Sequence, residues 1–470
     1  MTSIDIQLRL REIPRKIAAL EWEIITLRAE RQTLLPFYTP ILLLPAELTS
    51  EIFQWSTQDE ESCGKGMEQS MRLSGVCRAW RDVAIWTPQL WTRFDVSLFI
   101  ANPAKLDEFV GLCISRAGSL SLELSVSFSW TPPSSQIINV VQVVARHSTR
   151  WRALTFEDLL PNALSVLPSG ITWPSLERLS ISAIFKGEIL TPFEAFQNSP
   201  ALRTVRLAVL DDTHLLLPWS QLHHLTLIAL DTDACVRVLR RTTGLQTLTC
   251  RSRLALPVPV ELVTLPDLVQ YHSLGDNLGP TAYLILPALQ YLTIENLELV
   301  PGLLERSSAA RTLIALTVSD TPTMDQLKRL PRLPSTKHLT IKYFSAAKRD
   351  VCRKFIQALN YRVPLSSSEK LTVIFPVLET LTLHNCWFET LSVEEVAEMV
   401  KRRFPETNGS LRSISVDFMG PTGTNVLKAV DDLREMRHQG LELNFSWSDE
   451  PLCPGQSTDF ISALSDSKEL

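Results

Sequence analysis

The feature that most restricts the fold is a recurring apolar unit, Leu-x-x-Leu-x-Leu, spread over the C-terminal part of the chain. It stands at Leu176-Leu179-Ile181, Leu202-Val205-Leu207, Leu222-Leu225-Leu227 and Leu245-Leu248-Cys250, and returns at Leu289, Leu313, Leu378 and Leu411. Starts at 176, 202, 222 and 245 give steps of 26, 20 and 23 residues. Such steps lie within the about 20–29 residues that one strand and one return segment occupy in a stacked array. Within each unit apolar and polar residues alternate, the signature of a half-buried strand. Several strands are preceded by a proline, as at Pro174, Pro200, Pro287 and Pro376; proline can open a strand because its missing N–H is not yet needed by the ladder. Return helices are expected at Thr191–Gln197, Asp233–Arg241, Pro301–Ser307, Asp325–Leu330, Lys348–Leu359 and Glu394–Arg403. One unit cannot bury its own leucines, so the units must stack. The expectation for 151–447 is a curved α/β solenoid, a parallel sheet with outer helices, least regular between Phe344 and Phe375.

Ahead of the array lies a stretch of different texture, Leu44 to Trp91. Pro45 suits the first position of a helix, where its missing N–H costs nothing. Leu48, Ile52 and Trp55 follow at helical spacing and give a short helix an apolar stripe. After a polar loop with Asp59, Glu60, Glu61, Gly64 and Gly66, a second helix is expected from about Arg72 to Ile85, with Leu73, Val76, Cys77, Trp80 and Ala84 on one side. Two short helices are too small to bury so many large side chains against each other. A stripe left partly outside is a docking surface, unless the rest of the chain covers it.

The order Leu44-Pro45-x-Glu47-Leu48-x-x-Glu51-Ile52-Phe53, then Val76-Cys77-x-x-Trp80-Arg81 and Leu90-Trp91, resembles the F-box. The resemblance implies an all-α three-helix module that docks the Skp-type adaptor of a cullin–RING ubiquitin ligase. Carried over, the adaptor-facing residues would be Leu44, Pro45, Leu48, Ile52, Leu73, Val76, Cys77 and Trp80. The polar loop between Gln54 and Ser70 departs from the compact pattern. An F-box followed by leucine-rich repeats is similar to the substrate receptors of these ligases, and the Thr-Pro-Gln-Leu-Trp ending is similar to fungal members. The receptor reading implies the adaptor, cullin through it, and a protein target as partners, no cofactor and no chemistry of its own. A second reading stays open, a repeat scaffold acting independently of any ligase.

Ile6, Leu10, Ile13, Ile17, Leu20, Ile24, Leu27 and Leu34 recur at steps of three and four, with Arg31 interrupting: a heptad seam. Pro14 is expected to mark the start of the secure helix, which ends near Leu35. This helix either pairs weakly with a second coil, including a second copy, or folds back on the F-box. The expected organisation is an α+β chain: N-terminal helix 1–36, F-box 41–92, linker and solenoid cap 93–150, repeats 151–447, and a C-terminal tail 448–470.

A net charge of −5 argues against a dedicated nucleic-acid or anionic-membrane binder. No apolar run approaches the about 20 residues a bilayer needs. The N-terminus lacks the pattern of a signal peptide, and eight scattered cysteines without a C-x-x-C pair read as reduced, mostly buried thiols. The expected home is cytoplasmic or nuclear. His223-His224 lie on opposite faces of a strand and cannot share a metal; His384 and Cys386 could share a face, but two ligands do not make a zinc site. On the open face of the repeats, a row of Thr and Ser residues is what β-propensity favours. Isolated charges beside it, Arg206, Arg251, Glu295, Lys342, His384 and Asp417, are the candidates for orienting a target.

Overall fold

The computed structural model describes residues 3–38, 40–57, 63–97, 103–127, 134–159, 167–168, 170–183, 192–211, 213–252, 261–275, 279–330, 332–343, 349–360, 363–364, 371–372, 375–387, 393–406, 411–419 and 427–448. The expected tail beyond 448 lies outside these residues. The chain divides into two compact units, Met1–Leu154 and Thr155–Leu470.

The first unit opens with α1 (Ser3–Tyr38). Pro14, expected to mark its start, lies inside it. Proline removes one hydrogen bond from the ladder, and at this exposed position water can satisfy the freed carbonyl. Every described side chain from Glu12 to Leu34 is exposed, so of the two alternatives, pairing or folding back, these side chains do not pack back on the following helices.

Three helices follow, α2 (Ala46–Thr57), α3 (Cys63–Val76) and α4 (Arg78–Ile85). The single helix expected over 72–85 is therefore two. The break falls at Cys77, whose extended backbone (φ −153°, ψ 172°) caps α4 while its Sγ accepts the Trp80 N–H at 3.5 Å. Much of the expected polar loop is helix α3. Gly66 marks where α3 meets the end of α2: a Cβ there would sit 2.8 Å from the Thr57 carbonyl oxygen. Gly66→Ala must push the two helices apart, at about 1–3 kcal/mol for overpacking. The expected result is a lower thermal midpoint without loss of far-UV helical signal.

The core of this module holds Phe53, Met67, Leu73, Ala84, Leu90 and Trp91. The Trp91 Nε1–H donates to the Ala84 carbonyl at 2.8 Å, and the Arg116 guanidinium lies 4.2 Å from the centre of its ring. Ser70 donates to the Leu90 carbonyl at 3.1 Å, tying α3 to the turn Pro88–Trp91. Strands appear earlier than 151: β1 (Arg93–Asp95) pairs in parallel with β2 (Leu122–Ser127), and β3 (Trp151–Leu159) begins in this unit. Helices α5 (Pro103–Ala117) and α6 (Ser134–Arg146) lie between these strands in the chain.

In the second unit the expected ladder is present. Its strands are β4 (Arg178–Ala183), β5 (Thr204–Ala208), β6 (His224–Leu230), β7 (Thr247–Ser252), β8 (Gln270–Ser273) and β9 (Tyr291–Ile294). They continue with β10 (Ala315–Asp320), β11 (His338–Tyr343), β12 (Thr380–Trp387), β13 (Ser413–Met419) and β14 (Glu442–Ser448). Each pairs in parallel with the next in chain order. The strands named so far number 14 along the chain and keep sequence order, a solenoid-like α/β arrangement; four further described strands form two separate pairs, Val263–Thr264 with Leu284–Ile285 and Val363–Pro364 with Leu371–Thr372. The repeat leucines are buried throughout, from Leu176, Leu179 and Ile181 to Leu411, Ile414 and Val416. The next strand keeps only part of the pattern, with Leu441, Leu443 and Phe445 buried in and beside β14.

Return helices form at α7 (Thr232–Leu239), α8 (Val300–Ser307), α9 (Met324–Arg329), α10 (Arg349–Asn360) and α11 (Val393–Glu406), close to expectation. An unexpected one, α12 (Leu427–His438), precedes β14. The helix expected at Thr191–Gln197 is absent from the described part of that range. There Phe193 makes a parallel bridge to Leu215, and Phe196 packs 5.2 Å from Trp173. Six cysteines among the described residues are free thiols, all buried except the half-buried Cys77; burial pushes the Cys113 thiol up to about 12.

Candidate adaptor interface

Helix α2 is apolar on two sides, and the sides do different work. Thr49 and Phe53 point inward and are buried. Leu48, Ile52 and Trp55 point outward, Leu48 remaining 48% and Trp55 71% exposed. Leu44 and Pro45 continue that outer stripe into the preceding turn and are exposed. On α3 and α4 the residues assigned to one side separate. Leu73 is buried in the module, whereas Val76, at the last position of α3, is 62% exposed. The separation follows from the break at Cys77, which ends one helical phase and starts another.

Cys77 and Trp80 are half-buried. Trp80 packs edge-on against Phe53, ring centres 5.0 Å apart, so it braces α4 on α2 while keeping an outer edge. Two polar contacts hold the same geometry: Thr87 Oγ1 lies 2.9 Å from Ser50 Oγ, and Arg81 Nε donates to the Ser74 carbonyl at 3.0 Å. Further exposed apolar residues of the module are Ile41, Leu43, Met71 and Trp86, the last 85% exposed. Trp55 was visible at the right helical spacing. Trp86 stands in the Ile-Trp-Thr-Pro segment and carried no periodic signal. A single soluble helix packed on its own chain shows one apolar stripe facing inward; a second stripe facing water marks a docking surface.

The chain carries an F-box-like domain. The family model described as F-box-like matches residues 41–97, the span of α2 to β1. No curated protein is significantly similar to the chain. F-box domains generally bind Skp-type adaptor proteins and are typically non-catalytic. In this F-box-like domain the exposed apolar residues include Leu44, Leu48, Ile52 and Trp55 on one side and Val76 and Trp86 on the other.

The six charges expected to orient a target lie in the second unit, Arg206 within and the other five beside a row set by the strand register. Arg206, Thr226, Thr249, His272, Thr293, Thr317, Thr340, Thr382, Ser415 and Asn444 are successive cross-strand neighbours. Arg206 and Arg251 are exposed, while Glu295, Lys342, His384 and Asp417 are half-buried. The structure brings two of the six together: His384 Nδ1 faces an Asp417 carboxylate oxygen, and the Ser446 hydroxyl donates to the other. Burial alone would raise the Asp417 carboxyl, but the His384 and Ser446 contacts outweigh it and hold it below its ordinary value. The Glu295 carboxylate is engaged by the Gly275 N–H at 2.5 Å. His272 and Ser446 were missed because their strands lack the full leucine pattern. Burial first, then the charge of Lys342, push the His272 imidazole below its ordinary value.

His384 and Cys386 do not share a face. The register shifts between Leu383 and Cys386, with Asn385 at φ 54°, so Cys386 turns into the core and His384 stays half-exposed. No group of three or more potential metal ligands occurs among the described residues. No described helix is long and apolar enough to cross a membrane.

Proposed function

We propose that the chain is a substrate receptor of a cullin–RING ubiquitin ligase. Its F-box-like domain docks the Skp-type adaptor, and its leucine-rich-repeat-type sheet binds a protein target. The observation that carries the first half is the outward stripe Leu44, Leu48, Ile52 and Trp55 beside Val76, left open on a domain that matches the F-box-like model. Burying each such side chain stabilises a complex by roughly 1.5–3 kcal/mol, so a handful suffices for a specific interface. Pro45, Cys77 and Trp80 complete the proposed contact, and Leu73 supports it from below.

The target half rests on the row of small hydroxyl side chains flanked by Arg206, Arg251, Lys342 and the His384–Asp417 pair. A neutral, finely textured face with isolated charges orients a partner through those charges. Glu295 is already engaged by the Gly275 N–H after the preceding strand and contributes to the shape of the face. A cytoplasmic or nuclear location accords with the free thiols.

The test is co-precipitation of the full chain with purified Skp-type adaptor, with and without cullin. Recovery of a stoichiometric ternary complex is expected. Failure to retain the adaptor at micromolar concentrations would favour the scaffold reading.

A further inference from the structure

Helix α1 carries a seam that the rest of its unit leaves open. Ile13, Ile17, Leu20, Ile24, Leu27 and Leu34 are each between 48% and 58% exposed. Placed in heptads, Ile17 and Ile24 occupy a positions, with Ile13, Leu20, Leu27 and Leu34 at d. β-Branched residues at a with leucine at d favour two parallel strands over three or four. Arg31 takes the next a position, and a single polar residue there fixes register and strand number at some loss of stability.

The flanking charges agree with that arrangement. The g positions hold Lys16 and Glu23, and the e positions of the following heptad hold Glu21 and Arg28. In a parallel, in-register pair, g of one strand faces the next e of the other. Lys16 then meets Glu21 of the second copy and Glu23 meets Arg28 of the second copy, and two-fold symmetry makes each contact twice. Glu30, at g, lies beside the Arg31 layer. An antiparallel pair would set a against d, placing Arg31 opposite an apolar residue and removing the g–e contacts.

We infer that α1 joins two copies of this chain as a parallel two-stranded coiled coil, with Ile17, Leu20, Ile24 and Leu27 forming the seam and Lys16–Glu21 and Glu23–Arg28 setting its direction. The seam from Leu10 to Leu34 is roughly 36 Å long at about 1.5 Å per residue. Pairing presents two F-box-like domains on one particle. The inference stands on α1 alone and does not depend on what those domains bind.

Sedimentation equilibrium of the full chain tests it. The wild type is expected to approach twice its 52.9 kDa as concentration rises. Leu20→Asp/Leu27→Asp is expected to stay monomeric, whereas Trp22→Ser/Ile25→Ser, on the outer face of the same helix, is expected to remain a dimer. Glu21→Lys/Arg28→Glu and Lys16→Glu/Glu23→Lys should each dimerise at least tenfold more weakly. Mixing the two should restore wild-type association, since every g–e contact is again between opposite charges. A wild type that stays monomeric, a trimer, a dimer kept by the seam variant or lost by the outer-face variant, or charge variants that associate normally or fail to rescue each other would overturn it. Circular dichroism of every variant separates loss of pairing from loss of the folded units.

Discussion

The full chain carrying Leu48→Asp and Val76→Asp is expected to bind the Skp-type adaptor at least about a hundredfold more weakly than wild type, with unchanged circular dichroism and melting temperature. Both side chains are about half exposed or more, 48% and 62%, so the folded domain loses little packing when they change. In the proposed complex each new carboxylate would be taken from water into an apolar contact. Truncation of a central interface anchor costs about 2 kcal/mol or more, and every 1.4 kcal/mol is about tenfold in affinity. Two such losses give the stated factor even when they are not fully additive. Trp80 is a poorer probe of the same surface. Its ring supports Phe53, so Trp80→Ala would weaken fold and interface together. Isothermal titration of the double variant, beside its thermal melt, separates the two effects.

Trp91→Ala is expected to produce the second large effect, on stability. The ring is 1% exposed, its N–H is satisfied by the Ala84 carbonyl, and Arg116 lies across it. Removing a buried tryptophan side chain costs about 3–5 kcal/mol through lost burial and the cavity left behind, and the Ala84 carbonyl loses one of its donors besides, keeping the Thr87 N–H at 3.3 Å. That is a large share of the about 5–15 kcal/mol that holds a typical domain together. The expected outcome is a denaturant midpoint far below wild type and early loss of adaptor binding. Trp91→Phe keeps most of the apolar volume and is expected to lose much less. Equal midpoints for the two variants would contradict the packing described for this side chain.

The parallel ladder was legible because its apolar signal is periodic. Leu179, Val205, Leu225 and Leu248 mark the same strand position at regular steps, and each is buried where alternation places it. The first strands fall outside the aligned units, since Phe94-x-Val96 and Leu122-x-Leu124-x-Val126 alternate correctly but lack the leading leucine. In the helical module the apolar residues were identified and their phase was not. One substitution of roles explains it: Cys77, a residue with weak capping chemistry, acts as the N-cap of α4 and splits a helix that composition alone would continue. Local sequence places Gly66 in a loop, whereas it is where α3 closely approaches the end of α2, a relation no local pattern encodes. The bulge at Asn385 is similar, because one residue with φ 54° reverses which neighbour faces the core. At Pro14 local propensity gave the wrong helix start, and the exposed surroundings of α1 explain why the helix tolerates it.

Everything functional here depends on an apolar surface that the F-box-like domain leaves open for another protein. Hydrogen exchange of the full chain, followed by mass spectrometry with and without saturating Skp-type adaptor, tests that most directly. The account predicts added protection across 44–57 and 74–86, with none in the repeat strands of the second unit. Unchanged exchange over both segments while the adaptor is bound would contradict it.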